Sequence, residues 1–325
     1  MRRLAMSAPW VLCLAAAAGC GADGTSGPSG PYFSRPMFWN QDVSGAPIAP
    51  DSASILASLR ASGGWGAGDR LRIDYSFDVL RADAGTPRRA FTPTPEFFEP
   101  DCDRVDVPVP PDGNLEGEDG LACERDGDCH LVVLDESSGE LYEMWRADIR
   151  TTFQGGCLAV WDTRRAYADT LRGDQCTSAD AAGFPIAPLL FTADEVAAGE
   201  IDHAIRFVLP GDRMGRGFVR PATHAIDMIS IPGAPPFGFH LRLRADYPLG
   251  ALPSEGARVV ARALQRYGMY HADRGEVPLT AQSDRRTAAK WDGLLGWRDL
   301  EALRVEDFEV VDHGDRIPVT FACER

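Results

Sequence analysis

LRIDYSFDVL, residues 71–80, puts Leu71, Ile73, Tyr75, Phe77 and Val79 at every second position, with Arg72, Asp74, Ser76 and Asp78 between them. A period of two turns one set of side chains toward a core and the other toward solvent, which is the pattern of a half-buried strand. Beyond it, HLVVLD (130–135), ELYEMWRAD (140–148), CLAVWD (157–162), HAIRFVLP (203–210) and FHLRLRAD (239–246) predict further strands, separated by stretches rich in Pro, Gly and Asp. Three segments break the pattern and predict short helices. PDSASILASLRASGG (50–64) offers Asp51 or Ser52 as cap and Gly63 as stop; TADEVAAGE (192–200) carries the Thr192 and Glu195 capping box; SEGARVVARALQRYG (254–268) starts at Ser254 and ends at Gly268. Many strands with two or three short helices predict a mainly β fold, a single jelly-roll-like β-sandwich over residues 32–325.

Ahead of that domain, MRRLAMSAPWVLCLAAAAGC (1–20) joins two arginines to an apolar run ending in Ala17, Ala18 and Gly19 before Cys20. This is the layout of a lipoprotein signal peptide over residues 1–19, with Cys20 as the acylated residue of the mature chain. The run is short for a bilayer span and contains Pro9 and Cys13. Residues 20–31 then read as the lipidated cysteine and a Gly/Ser/Pro tether. The expected location is the cell envelope, as an outer-membrane lipoprotein or extracellular protein, held to the membrane through its lipid. Glu and Asp number 48 against 33 Lys and Arg, a net charge of −15 that repels phosphate backbones and argues against nucleic acid.

Apart from Cys13 and Cys20, six cysteines remain, an even number that in an oxidising compartment predicts disulfides. No CxxC pair favours a zinc site. Of the fifteen pairings, loop closure favours Cys123 with Cys129 and Cys157 with Cys176, which leaves Cys102 for Cys323.

No catalytic signature such as GxSxG or HExxH occurs. Chemistry must come from polar residues set in apolar strands. Asp128 and His130, two apart, would project from one strand face about 7 Å apart and could share a proton or a cation. His203 begins an apolar strand, and His224 follows Pro221 at a strand entrance; His240, His271 and His313 read as solvent-facing. The predicted catalytic set is His130, His224, Asp180, His203 and Asp128. Arg206 and Arg242 would neutralise a uronate in a lyase, Glu116 and Asp180 are carboxylate candidates for hydrolysis, and Trp161 and Tyr142 would stack on sugar rings. The acidic run LEGEDGLACERDGD (115–128) offers hard oxygen ligands for calcium, although it lacks the order of a dedicated calcium loop; no other cofactor or metal is indicated.

Several segments, among them NQDVSGAPIAPDSASI, DGDCHLVVLD, ELYEMWRAD, TSADAAGFPIAPLLFTADEV, GEIDHAIRF, RPATHA and ALQRYGMYHADRGE, resemble an uncharacterised family of exported bacterial β-rich proteins. The resemblance implies a compact exported domain and brings no assigned activity. Its segments hold Asp128, His130, Asp180, His203 and His224. The expectation is therefore a surface-anchored monomer that binds and cleaves extracellular polysaccharide as a lyase or hydrolase. The alternative is a non-catalytic envelope lipoprotein that binds glycan or a protein partner.

Overall fold

The computed structural model describes residues 32–325 apart from 126, 229, 230 and 232. The signal peptide, Cys20 and the tether lie outside the described residues. The fold is mainly β with few, short helices, as the sequence predicts. Ten strands build its two larger sheets: β1 (Ile73–Phe77), β2 (Val79–Ala82), β3 (Leu131–Asp135), β4 (Glu140–Met144), β5 (Leu158–Asp162), β6 (Ile205–Leu209), β7 (His240–Leu243), β8 (Met269–Arg274), β9 (Leu279–Gln282) and β10 (Phe308–Val310). One sheet has the order β1-β9-β6-β8-β7-β10 and the other β5-β4-β3-β2.

The connectivity departs from the expected jelly roll. That architecture is antiparallel throughout, whereas here β1 lies parallel to β9, β6 to β8, and β2 to β3. The reason lies in residues 71–80. LRIDYSFDVL is two strands: β1 ends at Phe77, Asp78 intervenes, and β2 continues in the other sheet. Asp78 is buried, accepts from Ser283 Oγ at 2.5 Å and pairs with Arg285 at 3.2 Å. The chain thus crosses between sheets on a satisfied carboxylate.

Past that crossing the sheets bury both faces. In β3 all five residues are buried; Val132 and Leu134 enter the main core, while Leu131 and Val133 enter a second cluster with Leu80, Tyr142 and Met144. A two-sided sheet requires a near-continuous apolar run, and LVVL supplies it. His240 and His271, expected at solvent, are buried for the same reason. His240 stacks on Tyr270 at 3.9 Å and its Nε2 donates to the Tyr267 carbonyl at 2.7 Å. His271 lies among Phe207, Phe237 and Phe239, where burial holds it neutral, its pKa pushed down to about 3. The side chain of His313 is also largely covered, at 7% exposure.

The helices are α1 (Ser52–Ala61), the single turn α2 (Gly66–Asp69), α3 (Ala193–Ala198) and α4 (Glu255–Arg266). The capping box of α3 forms as expected, and the Ser254 hydroxyl accepts from Ala257 N at the start of α4. At α1 neither expected cap operates: Asp51 makes no side-chain cap bond, and Ser52 Oγ accepts instead from Val310 N at 2.9 Å, tying the helix to β10.

Three disulfides form among the described residues, and they correct two of the three expected pairings. Cys123 bonds Cys129 as predicted, but Cys102 bonds Cys157 and Cys176 bonds Cys323. Long-range backbone contacts decide this. Asp103 N donates to Leu158 O at 2.7 Å and Val160 N to Asp103 Oδ2 at 2.8 Å, which lays Cys102 against the start of β5. Asp174 and Glu324 exchange backbone bonds at 3.1 and 2.9 Å, which brings the C-terminal segment, and Cys323, to Cys176. Such bonds place the chain in an oxidising, extracytoplasmic compartment. Among the described residues no helix is long and apolar enough to cross a membrane.

Candidate functional site

β6 and β8 run side by side in the same direction, and both lead at their carboxyl ends into one cleft of about 880 Å³. Pro210 and Gly211 follow β6; Asp273 and Arg274 close β8, with Glu276 beyond. Loop segments supply the remaining walls, and each disulfide anchors one. Cys102–Cys157 fixes the segment from Phe97 to Asp101, Cys123–Cys129 holds the loop bearing Asp128, and Cys176–Cys323 ties Thr177–Ala179 to the strip carrying Phe321. Small clefts built on loops need this kind of bracing to hold a shape.

The floor, residues 177–181, is a turn pinned from within. Ser178 Oγ donates to Phe184 O at 2.6 Å and accepts from Asp180 N at 3.0 Å. Gly183 has φ +80° and an added Cβ would sit 2.0 Å from Thr223 Oγ1, so the adjoining loop can approach only a glycine. That approach positions the next residue, His224, whose Nδ1 donates to Ala181 O at 2.9 Å. Its ring is edge-on to Phe321 at 5.5 Å. Burial lowers the His224 pKa, so the ring is neutral and Nε2 is left as an acceptor.

Of the five predicted catalytic residues, His224 and Asp128 line the cleft. Asp128 is exposed, and its Oδ1 accepts from Trp145 Nε1 at 3.1 Å. His130 does not share its face, because Cys129 takes φ +50° and turns the chain. The His130 ring is buried behind the floor, with Nδ1 2.6 Å from Glu116 Oε2 and Nε2 3.1 Å from Ala179 O. Both partners are acceptors, so both ring nitrogens are protonated. Burial opposes the charge, but Glu116 outweighs it and, with Asp128, raises the pKa to about 9. Asp180 is buried directly beneath the floor in a bidentate pair with Arg206, both bonds at 2.9 Å. Arg206 Nη2 lies 3.9 Å from Asp273 Oδ2.

His203 is off the cleft wall. Its Nδ1 donates to Ala204 O at 2.8 Å and its Nε2 lies 3.2 Å from Glu195 Oε1, which joins it to the cap of α3. Three predicted substrate contacts are likewise engaged elsewhere. Arg242 is bound by Glu309 and the carbonyls of Val43 and Ala46. Trp161 Nε1 donates at 3.1 Å to buried Glu143, which also accepts the amides of Ile186 and Ala187. Tyr142 donates to Glu140 at 2.7 Å and accepts from Arg88 at 2.9 Å. Among the described residues the acidic run does not gather into a calcium shell. Glu116 is taken by His130, Glu118 by the amides of Glu124 and Arg125, and Asp119 by Arg125 and Arg285.

The residues that sequence reading missed are Asp273 and the aromatic wall. Asp273 accepts Arg274 N at 2.7 Å and Ala181 N at 3.1 Å, bridging β8 to the floor. Burial and then the charge of Asp180 raise its pKa to about 7, against the pull of Arg206. Phe97, Phe98, Trp145 and Phe321 face the same space. Phe98 and Phe321 are 49% and 53% exposed, two of five large apolar side chains so exposed among the described residues. The local signal was the EFFEP motif, two adjacent phenylalanines between Pro95 and Pro100. No family matches the chain, and no curated protein or solved structure matches it either.

Proposed function

We propose that this chain is an exported, lipid-anchored envelope protein whose cleft binds a glycan segment and hydrolyses it. The observation that carries the reading is the pairing, within one braced cleft, of exposed aromatic faces with carboxylates and a neutral histidine. Ring faces stack on the C–H faces of sugars, while carboxylates and imidazole accept from hydroxyls. Among the described lining residues, six carboxylates stand against the single Arg274. That charge repels uronates and favours hydrolysis over the lyase route. Asp273 retains a proton near neutral pH, as a general acid must, and exposed Asp128 offers the second carboxylate.

A glycan panel tests this, scored by calorimetric binding, by reducing-sugar release and by absorbance of unsaturated products. The expected result is binding with reducing-sugar release, and at least about tenfold weaker binding in the Phe98→Ala, Phe321→Ala double variant at an unchanged melting temperature. Two exposed rings contribute little to packing, so stability should not move. Binding without turnover would leave the non-catalytic form of the same proposal, and unaltered affinity in the double variant would remove the cleft from it.

A further inference from the structure

The charge of the cleft goes further than the absence of a uronate. Along the whole chain acidic and basic residues stand at 48 to 33, whereas the described cleft lining has Glu99, Asp101, Asp128, Asp227, Asp273 and Glu276 against Arg274. The excess is local. Some of it is spent: Asp227 pairs with Arg216 at 2.9 Å, and Asp101 accepts Thr177 N at 2.8 Å. Among the described residues the Asp128 carboxylate accepts an indole N–H alone, and no ion pair engages Glu99 or Glu276.

A metal does not account for this charge. Among the described residues the one group of three donor atoms lying close enough to share an ion is Glu118 with Cys123 and Cys129, and those two sulfurs are bonded to each other. The cleft carboxylates come from separate walls and are interleaved with Phe97, Phe98, Trp145 and Phe321. Dispersed negative charge among aromatic faces suits an organic cation, because ring quadrupoles attract cations and an ammonium group can donate its hydrogen bonds to single carboxylates while the carbon skeleton that carries it lies against the rings. We therefore infer that the group recognised by this cleft is a protonated amine, so that, resting on the glycan reading, its ligand is an amino sugar with free amino groups.

Calorimetry on the purified protein with four probes tests the inference: a glucosamine tetramer, the N-acetylglucosamine tetramer, an oligogalacturonate and spermidine. The free-amine tetramer should bind at least about tenfold more tightly than its acetylated counterpart. Raising salt from about 0.05 M to about 0.5 M should erase most of that preference, because exposed charges are screened over distances shorter than the cleft. The Asp128→Asn, Glu276→Gln double variant, which keeps side-chain size, should erase it as well. Equal or tighter binding of the acetylated tetramer overturns the amine inference and leaves the glycan reading standing. Salt-sensitive binding of spermidine with none of the sugars upholds the amine and overturns the glycan. If no probe binds, both fall.

Discussion

Replacing His130 with Gln should flatten the stability of the protein between neutral and mildly alkaline pH. The imidazolium is held between Glu116 and the Ala179 carbonyl, with a pKa of about 9 in the fold against about 6.5 in an unfolded chain. At about 1.4 kcal/mol per unit, preferential proton binding by the fold contributes about 3 kcal/mol. The sign follows from which state holds the proton: the contribution is complete below pH 6.5 and is lost as the pH climbs through 9. Glu143 and Asp273, each raised to about 7 by burial first, lose their own contributions lower down. The window from pH 7.5 to 9 therefore isolates the histidines, and there His130 alone should forfeit roughly 1.5 kcal/mol. His203, raised in the same direction, adds to the wild-type slope but is common to both proteins. Urea unfolding at several pH values, without reductant, gives the two slopes. Equal slopes for wild type and His130→Gln would refute an imidazolium at this position. Because Ala179 lines the cleft, ligand affinity should weaken over the same window.

Asp180→Asn should cost about 3–5 kcal/mol in denaturant unfolding, since it strands the buried guanidinium of Arg206; adding Arg206→Met should recover part of that loss, and strict additivity would contradict a direct pair. Serine replacements of the disulfides should destabilise in the order of the loops they close, 147, 55 and 6 residues, with chain-entropy values of about 5, 4 and 2 kcal/mol. Peptide mapping should recover Cys102–Cys157 and Cys176–Cys323, and a Cys157–Cys176 peptide would contradict the fold. Cys20→Ala should release the protein from membranes or leave its precursor uncut; unchanged membrane retention by fractionation would remove the lipid anchor.

How much of this was legible in the sequence depended on how local the cause was. The strands beginning at Leu131, Glu140, Leu158, Ile205 and His240 fall where alternating or apolar runs predict them, and the α3 capping box is contained within four residues. Periodicity reports a face without saying which sheet covers it. That is why LRIDYSFDVL reads as one strand although Asp78 hands the chain from one sheet to the other. It is also why His240 and His271 read as solvent-facing although both faces of their strands are covered. The two mistaken disulfides fail alike: loop length ranks pairings by entropy, while here the register of Asp103 on β5 and of Glu324 on Asp174 sets which sulfurs meet. Asp128 and His224, both of which line the cleft, were legible as candidates because a polar side chain beside a turn is a local signal. Asp273 was not, since its significance comes from Ala181 and Arg206, far away in sequence.

The charged residues beneath the cleft explain why so open a site can keep a defined shape. Arg206 binds Asp180 through two hydrogen bonds and lies within 3.9 Å of Asp273, while His130 holds the Ala179 carbonyl. Asp180 sits between Ala179 and Ala181, so three consecutive floor residues are each fixed by a bond from a different part of the chain: His130, Arg206 and, through the Ala181 amide, Asp273. Desolvating these groups is costly and adds little net stability, but each has its partner only in one arrangement of the floor. A cleft walled by loops keeps one shape only if its floor has a single arrangement. The predicted histidine and aspartate that do not line the cleft, His130 and Asp180, thus fix the floor against which His224 and Asp273 stand, both of them bonded to Ala181.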